Sequence, residues 1–398
     1  MESNVTPIKF RNTSTRRHRD NTATSKQGMD FLLFFTVCAI SLFGVVMLFS
    51  ASYYKALSET GNVMGIVRNQ VIYLAAGIAA MFIISHVNYS ILRTKGLIIA
   101  GYVITILLLG TTLIVGRTVL GARRWLDIGP VSMQPSELVK FVLSVCMAYY
   151  ISTYPKKIAT VKGFLFLIAM AIPPLALIYL QPNMSMLIII VALTGVMLFL
   201  GGAPWKYLGS VAGVGVVGLG ILTLVAGYRT NRITSWIDPW KDPSGKAYQV
   251  IQSMYAFANG GFIGQGFNNS RQKLLFLPEM ENDYVLSIIA EELGFVGVTI
   301  LLAAYAFVIY RGIRIALSVK DRFGSLAAFG ITCAIAFQVI VNVGVVTNAL
   351  PSTGQSLPFI SAGGSSLLVF MAAVGVLLNI SRHTKTSKTP LFKNTEDQ

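Results

Sequence analysis

Long apolar runs alternate with short polar segments along most of this chain. A run of about 20 apolar residues is what a helix needs to cross ~30 Å of hydrocarbon with its backbone hydrogen bonds closed internally. Ten stretches fit, at Phe31 to Ala51, Gln70 to Ser85, Gly96 to Val115, Ser136 to Ile151, Phe164 to Leu180, Met184 to Gly201, Leu208 to Gly227, Tyr284 to Tyr310, Ser325 to Val346 and Ser365 to Ile380. The fifth and sixth are separated only by Gln181-Pro182-Asn183. The pattern predicts an all-α polytopic membrane protein of about ten transmembrane helices, with one large extracellular loop, residues 228–283, between helices 7 and 8. A membrane domain over 30–383 is flanked by tails at 1–29 and 384–398. The first tail is basic and rich in Ser, Thr and Asn, without the apolar core of a cleavable signal, so disorder is expected there.

Composition agrees with the pattern. Of 398 residues, 54% are hydrophobic and 12% charged, and the mean hydropathy is +0.66. The 32 Lys and Arg are unevenly spread: if the first tail is inside, most fall on inner segments, including Arg93, Lys95, Lys156, Lys157, Lys162, Arg311, Arg314, Lys320 and Arg322. Inner loops retain such residues, which places both termini in the cytoplasm. The net charge of +16 is therefore mostly a topology signal and gives no reason to expect nucleic acid as a partner. Cys38, Cys146 and Cys333 lie inside apolar spans, and His18, His86 and His383 are scattered without ligand spacing. Neither set suggests a disulfide framework or a zinc site.

Chemistry is concentrated in the outer segments. Gly121-Ala122-Arg123-Arg124-Trp125 leads to Gln134-Pro135-Ser136-Glu137, and Glu137 and Lys140 share a face three residues apart. They read as a capped helix with a neutral ion pair, or else Lys140 joins Arg123 and Arg124 on the rim of a cleft for pyrophosphate or carboxylate. In the large loop, Val250-Ile251, Met254-Tyr255 and Phe257-Ala258 suggest a short amphipathic helix at the interface. Gly260, Gly261, Gly264 and Gly266 follow, fit for a phosphate cradle or for tight packing. The loop ends at Asp283, where the dipole of the eighth span stabilises a carboxylate suited to be a general base or metal ligand, or simply an N-cap. On a wheel of about 100° per residue, Ser287, Ala290 and Gly294 lie near the face of Asp283, Glu291 flanks it and Glu292 is nearly opposite. Carboxylates inside a span are costly and normally face a cavity or partner.

Together, Gly121 to Lys140, Asp238-Pro239 with Tyr248-Gln249, Gly264-x-Gly266 through Gln272-Lys273, Leu277-Pro278-Glu279 to Glu291-Glu292-Leu293-Gly294, and Pro351-Ser352-Thr353-Gly354 to Ser361-Ala362-Gly363-Gly364-Ser365-Ser366 resemble the shape, elongation, division and sporulation (SEDS) family. Asn269 to Lys273 and Asp238-Pro239-Trp240 look closer to its FtsW and SpoVE branch than to RodA. The resemblance implies an inverting peptidoglycan glycosyltransferase that polymerises lipid II on the outer membrane face in division or sporulation and releases undecaprenyl pyrophosphate. The implied partners are a class B penicillin-binding protein transpeptidase and other division proteins. By the resemblance Asp283 is the catalytic residue. Arg123, Arg124, Glu137, Lys140, Gln249, Ser270, Lys273, Glu291, Glu292 and Ser361 are the candidate substrate-binding residues, with or without a divalent cation such as Mg or Mn.

Three positions depart from the family pattern: Asn183 stands in a stretch where Asp-Leu-Gly is usual, Asn268 where glycine is common and Ala362 where tyrosine is common. Two rival readings are a lipid-linked precursor flippase, whose mark is an inverted pair of broken helices near the midplane, and a non-catalytic divisome scaffold.

Overall fold

The computed structural model describes residues 28–119, 121–129, 131–210, 213, 235–245 and 247–384. Both tails, most of the expected seventh span at 208–227 and residues 228–234 lie outside them. The described helices of the bundle are α1 (Phe31–Thr60), α2 (Met64–His86), α3 (Lys95–Val115), α4 (Ser136–Thr153), α5 (Val161–Leu180), α6 (Met184–Gly201), α7 (Tyr248–Gly260), α8 (Val285–Ser318), α9 (Arg322–Val346) and α10 (Gly364–Ser381). Eight of them are long and apolar enough to cross a membrane. The protein is an integral membrane protein built of helices, with lipid-facing side chains such as Phe35 and Ile114 left exposed around the bundle. The α4 helix falls outside those eight, yet it is enclosed by α3, α5, α6, α9 and α10. Its Glu137 and Lys140 lower its hydropathy but are neutralised as a pair.

Caps and polar ties set the ends. Asp30 caps α1 by accepting from Leu33 N at 3.0 Å, and its carboxylate also takes two hydrogen bonds from Arg311 near the end of α8, at 2.9 and 2.6 Å. Asn379 of α10 accepts from Tyr89 N, just beyond α2, at 2.8 Å, and Arg322 at the start of α9 donates to the Gly201 carbonyl at 3.0 Å. The start of α1, the ends of α2, α6, α8 and α10 and the start of α9 thus meet at one end, hereafter the basic end. At the other end Trp236 donates to the Asn348 carbonyl at 3.0 Å.

Two features were not expected from the sequence. Between α3 and α4 lies a three-stranded antiparallel sheet, β1 (Arg117–Val119), β2 (Ala122–Ile128) and β3 (Val131–Met133), in the order β1-β2-β3. Helix α8 is broken at Gly294, with φ 65° and ψ −166°. An unbroken helix would pair the Glu291 and Glu292 carbonyls with the N–H groups of Phe295 and Val296. Here Gln265 and Gly266 N–H take those carbonyls at 2.9 and 3.0 Å, while Phe295 and Val296 donate to Gly261 and Phe262 at 2.9 and 3.1 Å. The segment 261–266 has inserted into the break and satisfied each freed group, the condition for irregular backbone at membrane depth. Tight packing, not phosphate, explains these glycines: a Cβ on Gly264 or Gly294 would collide with backbone of the other strand.

Candidate active site

At the end opposite the basic one, the sheet, α7, the turn 279–284, the loop 352–356 and the start of α10 surround a polar cleft of about 570 Å³. Asp283 lines it half-buried, just before the first turn of α8. Arg117 of β1, Arg124 of β2, Gln249 of α7 and Glu279 share the lining. Arg124 is anchored from behind, its guanidinium donating to the Gln181 carbonyl at 3.1 Å and to that of Pro182. Positive charge and a carboxylate therefore border one open cleft, and the cation is held in a fixed fork.

The turn carrying Asp283 is clamped to the loop after α9. Ser361 Oγ accepts from Leu357 N at 2.8 Å and donates to the Asn282 carbonyl at 2.6 Å. Ala362 N–H donates to the Glu281 carbonyl at 2.8 Å, and Glu281 itself pairs with Lys55 of α1. Gly354 is needed here for space: a Cβ on it would stand 2.6 Å from Asp283 Oδ2.

Of the sequence candidates, Asp283, Arg124 and Gln249 line this cleft; the others do not. Arg123 is corrected first: strand alternation points it away, and it donates to the Leu113 and Ile114 carbonyls at 3.3 and 3.1 Å. Lys140, expected at the rim, and Lys273, a candidate substrate-binding residue, are instead buried. Lys140 Nζ sits 2.7 Å from Glu137, bonds Gln338 and lies 4.5 Å over the Phe370 ring, while Glu137 reaches the cleft loop through Gln355 at 3.4 Å. Glu291, Glu292, Ser270 and Lys273 form a separate buried cluster beside the break in α8. Glu291 accepts from Asn259, Ser270 Oγ and Gln272 N, and Glu292 from Ser50 at 2.5 Å and Lys273 at 3.2 Å. These carboxylates staple the loop 265–273 to α8.

The sequence reading missed Arg117, Gln134, Tyr73 and Glu279 as lining residues. Arg117 carried a signal, a charge isolated among β-branched residues just past a span. Two departures from the family pattern find a place: Asn183 caps α6 by accepting from Met186 N at 3.3 Å, and Asn268 adopts φ 63°, a conformation natural to glycine and tolerated by Asn, while accepting from Lys273 at 2.5 Å. No three His, Cys, Asp or Glu groups converge among the described residues. Among the described residues Glu279 and Asp283 are the carboxylates of the cleft, a donor set short of a full protein cage for a hard cation.

Residues 30–386 match the family model of the FtsW, RodA and SpoVE cell cycle proteins. The chain is 38% identical over 365 residues to stage V sporulation protein E of Bacillus subtilis (strain 168), covering 91% of this chain and 99% of that one. It is 35% identical over 356 residues to the probable peptidoglycan glycosyltransferase FtsW of Geobacter sp. (strain M18), covering 89% and 97%. A chain from the structure of a peptidoglycan synthase complex that coordinates polymerization and crosslinking superposes with a TM-score of 0.74 at 31% identity, over 89% of this chain and 98% of that one. With similarity running from the first helix to the last, the chain belongs to the SEDS family of FtsW, RodA and SpoVE cell cycle proteins, on its FtsW and SpoVE branch.

Proposed function

We propose that this protein is a peptidoglycan glycosyltransferase that polymerises lipid II, with Asp283 as general base. The observation that carries the reading is the shared cleft: Asp283 borders the same space as Arg117 and Arg124. Joining an α-linked MurNAc pyrophosphate to a GlcNAc 4-hydroxyl through a β-1,4 bond inverts the anomeric carbon in one displacement. Asp283 accepts the hydroxyl proton as the oxygen attacks C1, the C1–O bond to pyrophosphate breaks, and the electron pair leaves with undecaprenyl pyrophosphate. The arginines stabilise the negative charge that develops on the leaving group.

An apolar crevice of about 610 Å³, running from Leu138 and Leu368 near the cleft to Leu92 and Leu97 near the basic end, suits the prenyl chain. The cleft faces the outside and both termini lie in the cytoplasm, a reading supported by the gathering of Arg93, Lys95, Arg314 and Arg322 at the end away from the cleft. A class B penicillin-binding protein is the partner, in keeping with the pairing of polymerization and crosslinking in the similar complex.

The test is polymerisation of lipid II by the purified chain, with its transpeptidase, read as glycan polymer on a gel. Asp283→Asn is expected to lose about 100- to 10,000-fold in rate, and an Asp283→Asn protein as fast as the parent removes the base assignment. The break in α8 is one half of the mark of an alternative, a flippase, which calls for an inverted pair of broken helices. Translocation of lipid II in liposomes without any polymer would decide for that reading.

A further inference from the structure

We infer that Asn342 is a positioning residue that sets the place of Asp283 in the cleft, an inference that rests on Asp283 being the base. Asn342 is fully buried on α9, one turn beyond Gln338 on the same face. The two side chains grip adjacent residues of the loop lining the cleft. Gln338 Nε2 donates to the Ser356 carbonyl at 3.0 Å, while its Oε1 accepts from Lys140. Asn342 Nδ2 donates both to the Gln355 carbonyl at 2.7 Å and to the carbonyl of Asp283 itself at 2.9 Å.

One amide therefore ties the base to the loop beside it. Together with Ser361, which donates to the Asn282 carbonyl, it holds two consecutive carbonyls of the turn that aims Asp283. The arrangement has a cost: both amide hydrogens are spent, and the buried Oδ1 has no hydrogen-bond partner. An apolar residue of similar size would avoid that unmet acceptor, so the paired donors are what the site uses. An asparagine at the opposite end of the bundle, in a structural role, serves as the contrast. Asn379, on α10 at the basic end, is equally enclosed, with Oδ1 accepting from Tyr89 N and Nδ2 donating to the Ser85 carbonyl, both at 2.8 Å.

The experiment measures lipid II polymerisation by the full chain with its transpeptidase, alongside thermal unfolding in detergent. Asn342→Ala is expected to lower kcat on the order of 100-fold with KM for lipid II within about twofold, the scale of a reacting group displaced by about 1 Å. Asn379→Ala should lower the unfolding temperature and leave kcat per folded molecule unchanged. In an Asp283→Asn background, adding Asn342→Ala should reduce the residual rate no further, since the tether acts through the base. The inference is overturned if Asn342→Ala keeps the parent kcat, loses rate only in proportion to folded protein, or lowers the residual rate of Asp283→Asn by the factor seen in the parent. Should Asn342→Ala not fold, Asn342→Ser, which retains one donor, carries the same comparison. A fully active Asp283→Asn protein sinks the base reading instead, an outcome distinct from all of these.

Discussion

Asp283 and the pair Glu291 and Glu292 are separated by about two helical turns, and their surroundings differ in kind. Asp283 is half-buried on the wall of a cleft, with its backbone clamped and its carboxylate given room by Gly354. Glu291 and Glu292 are fully enclosed and fed by hydroxyl, amide, backbone and ammonium donors. Carboxylates enclosed among fixed donors fasten a loop and lie out of reach of substrate, whereas one on the wall of a cleft stands where a substrate can meet it. The turn into α8 thus carries the proposed base, and the helix itself fastens the loop beside it.

The largest separation between the two regions should appear in Asp283→Asn. Loss of a general base costs about 100- to 10,000-fold in rate, with the unfolding temperature unmoved. Lys273→Met should do the reverse, because removing one partner of a buried ion pair costs about 3–5 kcal/mol of stability. Polymerisation per folded molecule should survive; a stable Lys273→Met protein with a collapsed kcat would break the comparison and return Lys273 to the leaving group. Gly294→Ala tests the break itself. Strain at a left-handed φ costs about 1–3 kcal/mol, and the added methyl would press on the inserted segment, so thermal unfolding should fall while KM for lipid II holds. The smallest effect belongs to Arg93→Gln at the basic end, where the exposed pair with Asp321 at 3.6 Å should be worth less than about 1 kcal/mol, measured by the same unfolding assay.

Much of the fold was legible. The expected Met184 to Gly201 span is α6, the expected Gly96 to Val115 span differs from α3 by one residue, and the amphipathic pattern around residues 250–258 is α7. The first and eighth spans run longer than expected, to Thr60 and Ser318, because apolar periodicity marks only the lipid-embedded part of a helix. Beyond it, polar residues such as Lys55 continue the helix and find partners in the loops. The α7 helix was expected to rest on the membrane surface. It instead docks on protein, with Ser253 Oγ reaching the Val346 carbonyl at 2.6 Å and Ser287 at 2.7 Å.

The helical wheel separated Asp283 from Glu292, and the family motif singled out Asp283, both from local spacing. Neither could show that Lys140 and Lys273 are spent on internal pairs, nor that Arg117 enters the cleft through a strand. Apolar run length, caps and charge asymmetry act within about twenty neighbouring residues, so the order of residues alone determined the membrane class and most helix bounds. Which cation borders the cleft, which carboxylate is enclosed and where α8 breaks depend on contacts between segments far apart in the chain. Ser50 meeting Glu292, segment 261–266 entering α8, and Asn342 holding Asp283 arise only once the helices have packed. There the low-dielectric interior makes each unpaired polar group costly enough to select a single arrangement.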